Sequence, residues 1–112
     1  MDRKFEALEV AMEMAAALRP SLEALARRDR GLEDQVRRAA ASVVLNIAEG
    51  AERRGKDRLQ HYRIAAGSAA EVGAGLRLAR VWGYVEGTAC AEAEGLVVRV
   101  QQMLWRLTHG PG

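Results

Sequence analysis

Apolar residues recur at three- and four-residue steps through nearly the whole chain, and no stretch alternates apolar with polar as a half-buried strand does. The spacing predicts four helices, over about residues 2–28, 32–53, 57–82 and 88–108. Phe5, Leu8, Met12, Ala15, Leu18, Leu22 and Leu25 make the first stripe. Pro20 lacks a backbone donor, so it should kink or divide that helix, with Ser21 available to cap a restarted turn. Arg27-Arg28-Asp29-Arg30-Gly31 is a polar break before the second helix, which Gly55 ends. Gly83 suits the left-handed residue that follows the third helix, and Thr88 is the expected N-cap of the fourth. That last helix carries Ala89, Ala93, Leu96, Val97, Val100, Leu104 and Leu107 towards a His109-Gly110-Pro111-Gly112 tail. Short connections force antiparallel neighbours, which gives an all-α, up-down-up-down four-helix bundle in a single domain over residues 1–112. At ~1.5 Å rise per residue the rod is roughly 30 to 40 Å long.

The second and third helices depart from the one-stripe pattern. On a helical wheel Leu32, Val36, Ala39, Val43, Ile47 and Gly50 form a core stripe, beside a polar stripe of Gln35, Arg38, Ser42, Asn46, Glu49 and Arg53. What remains includes Ala40, Ala41, Val44, Leu45, Ala48 and Ala51, an apolar face where a monomer would be wet. At ~25 cal/mol per Å2 a partner surface would recover several kcal/mol there, so Val44, Leu45 and Ala48 are expected at a subunit interface. The third helix has a main stripe of Leu59, Tyr62, Ala66, Ala69, Gly73 and Leu76. It also holds Gly67, Gly73 and Gly75 in its interior, each costing ~1 kcal/mol against alanine, which points to close approach of another helix. Glu71, set among glycines and alanines, should seek a partner, with Arg37, Arg38, Arg63 and Asn46 as candidates, the alternative being that it simply reaches solvent.

Composition adds constraints. The chain has 112 residues and a formal charge of +2, and fifteen of its seventeen basic groups are arginine. Arginine's planar fork suits phosphate, although an arginine- and alanine-rich composition also follows from a GC-rich genome. One cysteine, Cys90, excludes an internal disulfide, and His61 and His109 have no metal-ligand spacing. Glu49 and Glu71 lack the Glu-x-x-His partners of a bundle-core di-iron site, so no metal or cofactor is expected. The acidic N-terminus and the absence of any stretch of ~20 apolar residues argue against a signal peptide or membrane span, and for a cytoplasmic protein.

Leu32-x-x-Gln35-x-Arg37-Arg38-Ala39-x-x-Ser42-x-x-x-Asn46-Ile47-Ala48-Glu49-Gly50, followed by Arg63-Ile64-Ala65-x-Gly67-Ser68-x-x-Glu71, resembles the signature of the four-helix-bundle family encoded within 23S rRNA intervening sequences. That family includes the accessory variability determinant proteins of diversity-generating retroelements. The resemblance covers roughly residues 5 to 85 and makes Gln35, Ser42, Asn46, Glu49, Ser68 and Glu71 a structural polar motif. Val43-Val44 stands where the family often has Ile-Pro, which leaves the second helix unbroken here. The resemblance implies a homopentameric barrel and, from the retroelement members, a basic surface that engages nucleic acid and a reverse transcriptase.

Two functions follow, both non-enzymatic. In the first, Arg27, Arg28, Arg37 and Arg38 at one end, and Arg53, Arg54, Lys56, Arg58 and Arg63 at the other, bind RNA or DNA phosphates in a homo-oligomeric scaffold. No aromatics are interleaved among these arginines, so base stacking has little support and binding should be largely independent of sequence. Against this stands the reading of both clusters as solvated helix ends, paired with Asp29, Asp34, Glu52 and Asp57. In the second, the chain is a protein-interaction module, such as a reverse-transcriptase accessory subunit, and its basic ends are incidental. An enzyme has least support, because no serine or cysteine is matched to a histidine, and Cys90 reads as packing.

Overall fold

The computed structural model describes residues 2–110, so Met1 and the Pro111-Gly112 end of the expected tail lie outside the described residues. It contains five α-helices: α1 Arg3–Ala17, α2 Arg19–Arg28, α3 Arg30–Glu52, α4 Gly55–Val81 and α5 Gly87–His109. No strand occurs among the described residues.

One helix is predicted over 2–28, and two are found. Pro20 cannot donate to Ala16, and the Leu18 N–H turns to the carbonyls of Met14 and Ala16, which closes α1. Leu18 itself keeps helical angles and no side chain caps α2, so Ser21 is buried inside the first turn and is not its cap. α1 and α2 both pack against α3 and α5, occupying one groove in succession. The rest is antiparallel. Across α3 and α4 a Cβ at Gly75 would meet Val36, Ser42 reaches Ser68, Asn46 reaches His61, and Gly50 abuts Tyr62. Across α4 and α5, Gly73 lies against Val97 and Arg80 pairs with Glu94. The bundle measures 44 × 22 × 18 Å.

Helix ends follow local chemistry. The Asp29 carboxylate accepts from Leu32 N–H at 3.0 Å, which starts α3 two residues before the predicted 32. Only Arg53 and Arg54 separate α3 from α4, and Gly55 at φ +59° makes that reversal as the first residue of α4. Gly83, at φ +75°, is left-handed as predicted. Its N–H donates to Arg80 and that of Tyr84 to Ala79, a Schellman close to α4. Thr88 does not cap α5. The helix begins at Gly87, and the N-cap is Glu86, which makes no side-chain bond.

The predicted α3 stripe is buried from Val36 to Gly50, with Leu32 half-buried. In α5, Ala93, Val97, Val100 and Leu104 are buried, together with Cys90. In α4 the stripe is rotated: Ala65, Val72 and Ala79 are buried with Tyr62, Ala69 and Leu76, while Leu59, Ala66 and Gly73 flank them. α1 has apolar residues on two faces and turns in the smaller one, Ala7, Val10, Ala11 and Met14, leaving Phe5 55% and Met12 51% exposed. Alanines at 7 and 11 let α1 settle closely on its neighbours, which Phe5 and Met12 would hold apart.

Candidate nucleic-acid interface

The α3–α4 turn concentrates basic side chains because Arg53, Arg54, Lys56 and Arg58 fall within six residues of it. Two of them are engaged. Arg53 sits between Glu49 (3.1 Å) and Asp57 (2.8 Å), which raise its pKa further, the Asp57 hydrogen bond most strongly. Arg58 donates to the carbonyls of Gly50 (3.0 Å) and Ala51 (3.4 Å), closing the end of α3. Arg54, Lys56 and Arg63 are exposed and have no ion pair among the described residues. Lys56 and Arg63 are seven residues apart on one face of α4.

At the opposite end Arg37 is held by Glu33 (3.1 Å) and Asp34 (2.7 Å), and Arg38 lies 3.7 Å from Asp34. Arg27 and Arg28 are exposed in the last turn of α2, where positive charge suits the helix dipole, and have no ion pair among the described residues. Of nine basic groups expected at the interface, four already have partners and five, Arg27, Arg28, Arg54, Lys56 and Arg63, face solvent without one among the described residues.

The polar stripe of α3 meets α4 through a relay. Ser68 Oγ lies 2.7 Å from Ser42 Oγ. Asn46 Nδ2 donates to the Ser42 carbonyl at 2.9 Å and reaches Ser42 Oγ at 3.2 Å, while Asn46 Oδ1 lies 2.9 Å from His61 Nδ1. A carbonyl can only accept, so the amide orientation is fixed and His61 Nδ1 is the donor to Asn46. Ser42, Asn46 and Ser68 thus join α3 to α4, and His61 is the member that sequence reading missed. Antiparallel pairing around the two-residue turn was the available signal, since it sets position 61 opposite 46. Glu71 is corrected: it is exposed, lies beside Gln35 and Gly75, and has no ion pair or hydrogen bond among the described residues, because Arg37 and Arg38 point to carboxylates of their own helix. Gln35 is exposed too, and Glu49 serves Arg53.

The expected interface on α3 is narrower than its sequence suggests. Leu45 is 63% exposed, but Val44 packs against the core and Ala48 is half-buried. A further apolar surface lies along the outer seam of α4 and α5. There Ala70, Gly73, Ala74, Leu78, Val81, Val97 and Val98 line a groove of about 590 Å3. A second hollow of about 280 Å3 continues it past Gln101, lined by Arg63, Ala66, Trp105, Thr108 and His109. A Cβ at Gly75 would stand 2.5 Å from Val36, so that glycine serves close helix approach; a Cβ at Gly73 would meet Val97 at ordinary contact distance, and one at Gly67 would meet nothing within 4 Å, so neither of these is required by packing within the described residues.

Cys90 is buried and points its thiol at Glu94 (3.4 Å) and the Gly87 carbonyl (3.6 Å). Burial, then the bond to Glu94, push its pKa up, so it stays a neutral packing group. Among the described residues no three His, Cys, Asp or Glu side chains gather, and no helix is long and apolar enough to cross a membrane.

The sequence matches the family described as 23S rRNA-intervening sequence protein over residues 3–106. The chain belongs to that family. The intervening-sequence fold is supported independently by a crystal structure of a protein of unknown function from the S23 ribosomal protein family of Bacteroides thetaiotaomicron, with a TM-score of 0.83 at 17% identity. The alignment covers 92% of this chain and 98% of the other. Among curated proteins no sequence matches this one. Within this member of the intervening-sequence family, the relay ties the two motif helices together, and the basic residues that remain available lie outside it.

Proposed function

We propose that this intervening-sequence protein is a non-enzymatic, homo-oligomeric scaffold that binds the phosphate backbone of RNA or DNA. The observation that carries the reading is the set of exposed basic groups without carboxylate partners, Arg54, Lys56 and Arg63 at one end and Arg27 and Arg28 at the other. Repeated around a ring, each set becomes a belt of charge, and the pentameric barrel of the resembled family is the expected assembly. Exposed Leu45 and the α4–α5 groove supply apolar surface for self-association. The buried neutral thiol of Cys90 and the structural role of the serine–asparagine–histidine relay both favour a protein without turnover.

Filter binding of structured RNA and of DNA across a salt series tests this. Retention should fall steeply with salt, and replacing Arg54, Lys56 and Arg63 by Gln should flatten the slope by about one unit for each phosphate no longer neutralised. No retention at low salt would sink it. Light scattering tests assembly, for which a monomer is the adverse result. The α4–α5 groove keeps the alternative reading in play, a module for another polypeptide such as a reverse transcriptase, which predicts that binding survives neutralisation of the basic residues.

A further inference from the structure

Folding places an aromatic ring beside Arg63, an arginine of α4 that has no ion pair among the described residues. Trp105, on α5, lines the 280 Å3 hollow together with Arg63, and it is 61% exposed. One face of its indole carries His109, nearly parallel at 9° with centroids 4.6 Å apart. His109 is itself held, its Nδ1 3.0 Å from both the Trp105 carbonyl and Thr108 Oγ1. The indole is therefore buttressed from behind while much of it stays open to solvent. A preformed aromatic platform loses little side-chain freedom when a second ring stacks on it.

Cationic groups flank it on one side. Arg63 shares the hollow, and Lys56 lies two helical turns away on the same α4 face, roughly 10 Å along the axis at ~1.5 Å per residue. Gln101 contributes an amide, which can donate to or accept from any base edge. A planar π surface, an adaptable amide and two cations in line are the parts with which proteins hold single strands: aromatic stacking for bases, a basic track for phosphates.

Resting on the nucleic-acid reading above, we infer that this hollow is a stacking site for one unpaired nucleobase, with Trp105 as the platform and Arg63 and Lys56 holding the flanking phosphates. A base within a duplex is already stacked and paired on both sides, so the site selects single strands or loops over helical regions. The cations contribute to either form, and the indole contributes only to the unpaired one.

The test uses the full chain with Trp82→Phe, which leaves Trp105 as the sole indole; Trp82 lies at the far end of α4, edge-on to Tyr84. Titration with a single-stranded homopolymer should quench the Trp105 emission, whereas a duplex of equal length should bind without quenching. Trp105→Ala should weaken single-strand binding about 5- to 150-fold, the range for removing one base–aromatic stack, and leave duplex affinity unchanged. Trp105→Phe should restore most of the affinity. Because the side chain is exposed, these variants should keep the parent's helical circular dichroism. Equal weakening of both nucleic acids, or single-strand binding that neither quenches the indole nor responds to Trp105→Ala, overturns the stacking site and leaves backbone binding standing. Quenching that follows protein concentration alone assigns the ring to a subunit contact and overturns it too. If neither nucleic acid binds, both readings fall.

Discussion

α4 has two long seams, and they are built in opposite ways. Towards α3 it is closed: Gly75 admits Val36, Gly50 of α3 admits the Tyr62 ring, and the Ser68–Ser42–Asn46–His61 relay joins the polar side chains of the two helices, leaving the buried Tyr62 hydroxyl without a partner among the described residues. Towards α5 the outer half stays open, floored by alanine and glycine and rimmed by exposed Val81, Val98 and Trp105. Both seams use small residues. On the α3 side the partner fills the space that the small residue leaves, and on the α5 side nothing among the described residues does. A stretch of glycine and alanine therefore defines a fold or a recognition surface according to what its partner helix supplies.

The largest test of the closed seam is Gly50→Ala. A Cβ there would stand 2.5 Å from Tyr62 Cε1 and 2.8 Å from Cδ1, and the ring is fully buried with no room to retreat. Overpacking of this kind costs about 1–3 kcal/mol, which outweighs the gain of alanine over glycine in a helix. Urea denaturation should show the destabilisation; unchanged stability would mean that the seam can open. Asn46→Ala should follow, at about 1–2 kcal/mol, because it leaves the His61 N–H without its acceptor at a half-buried position and removes the Asn46 bonds to the Ser42 carbonyl and hydroxyl, the latter keeping Ser68. The same substitution should move the His61 Nδ1 proton resonance, which a purely steric effect would not do.

On the outward face of α4 the sign reverses. Gly67 has open space where a side chain would go, so Gly67→Ala should stabilise the isolated chain by about 0.5–1 kcal/mol. If it instead disrupts assembly in light scattering, a second molecule sits against that face and accounts for the glycine.

The fold was legible because helix periodicity and the Gly83 and Pro20 signals are local. The α3 stripe and the left-handed Gly83 stand as predicted, and Pro20 divides the first helix. What was not legible depends on distance in the chain. Which face of α1 turns inward was decided by the small size of Ala7 and Ala11 against neighbours that no local pattern identifies. The partners of Arg37, Arg38 and Arg53 are carboxylates three or four residues away, visible in principle, and they compete with any phosphate. Along the chain only Tyr62, whose ring is buried, lies among these arginines, whereas Trp105 is far from Arg63 in sequence and meets it in space, so the expectation that no aromatic joins the arginines fails.

The smallest effect concerns the one ion pair that ties the α4–α5 seam among the described residues. Arg80 of α4 reaches Glu94 of α5 at 2.8 Å, and the Cys90 thiol donates to the other oxygen of Glu94. Burial and that carboxylate raise the thiol pKa in the folded protein. In the unfolded chain the thiol ionises near its ordinary value of ~8.5, while the native thiol keeps its proton, so the native state then binds more protons and stability falls as pH rises. The contribution is complete below the unfolded pKa and lost as pH climbs through the folded one. Tyr62 adds a similar slope at higher pH, since burial raises its phenol, with Arg58 opposing and Asp2 reinforcing the shift. Urea midpoints taken from neutral to alkaline pH should therefore decline, and Cys90→Ala should remove the part that begins just above the ordinary thiol range. If the decline is the same with and without the thiol, Glu94 is held by Arg80 alone and the tie is an ion pair on an otherwise open seam.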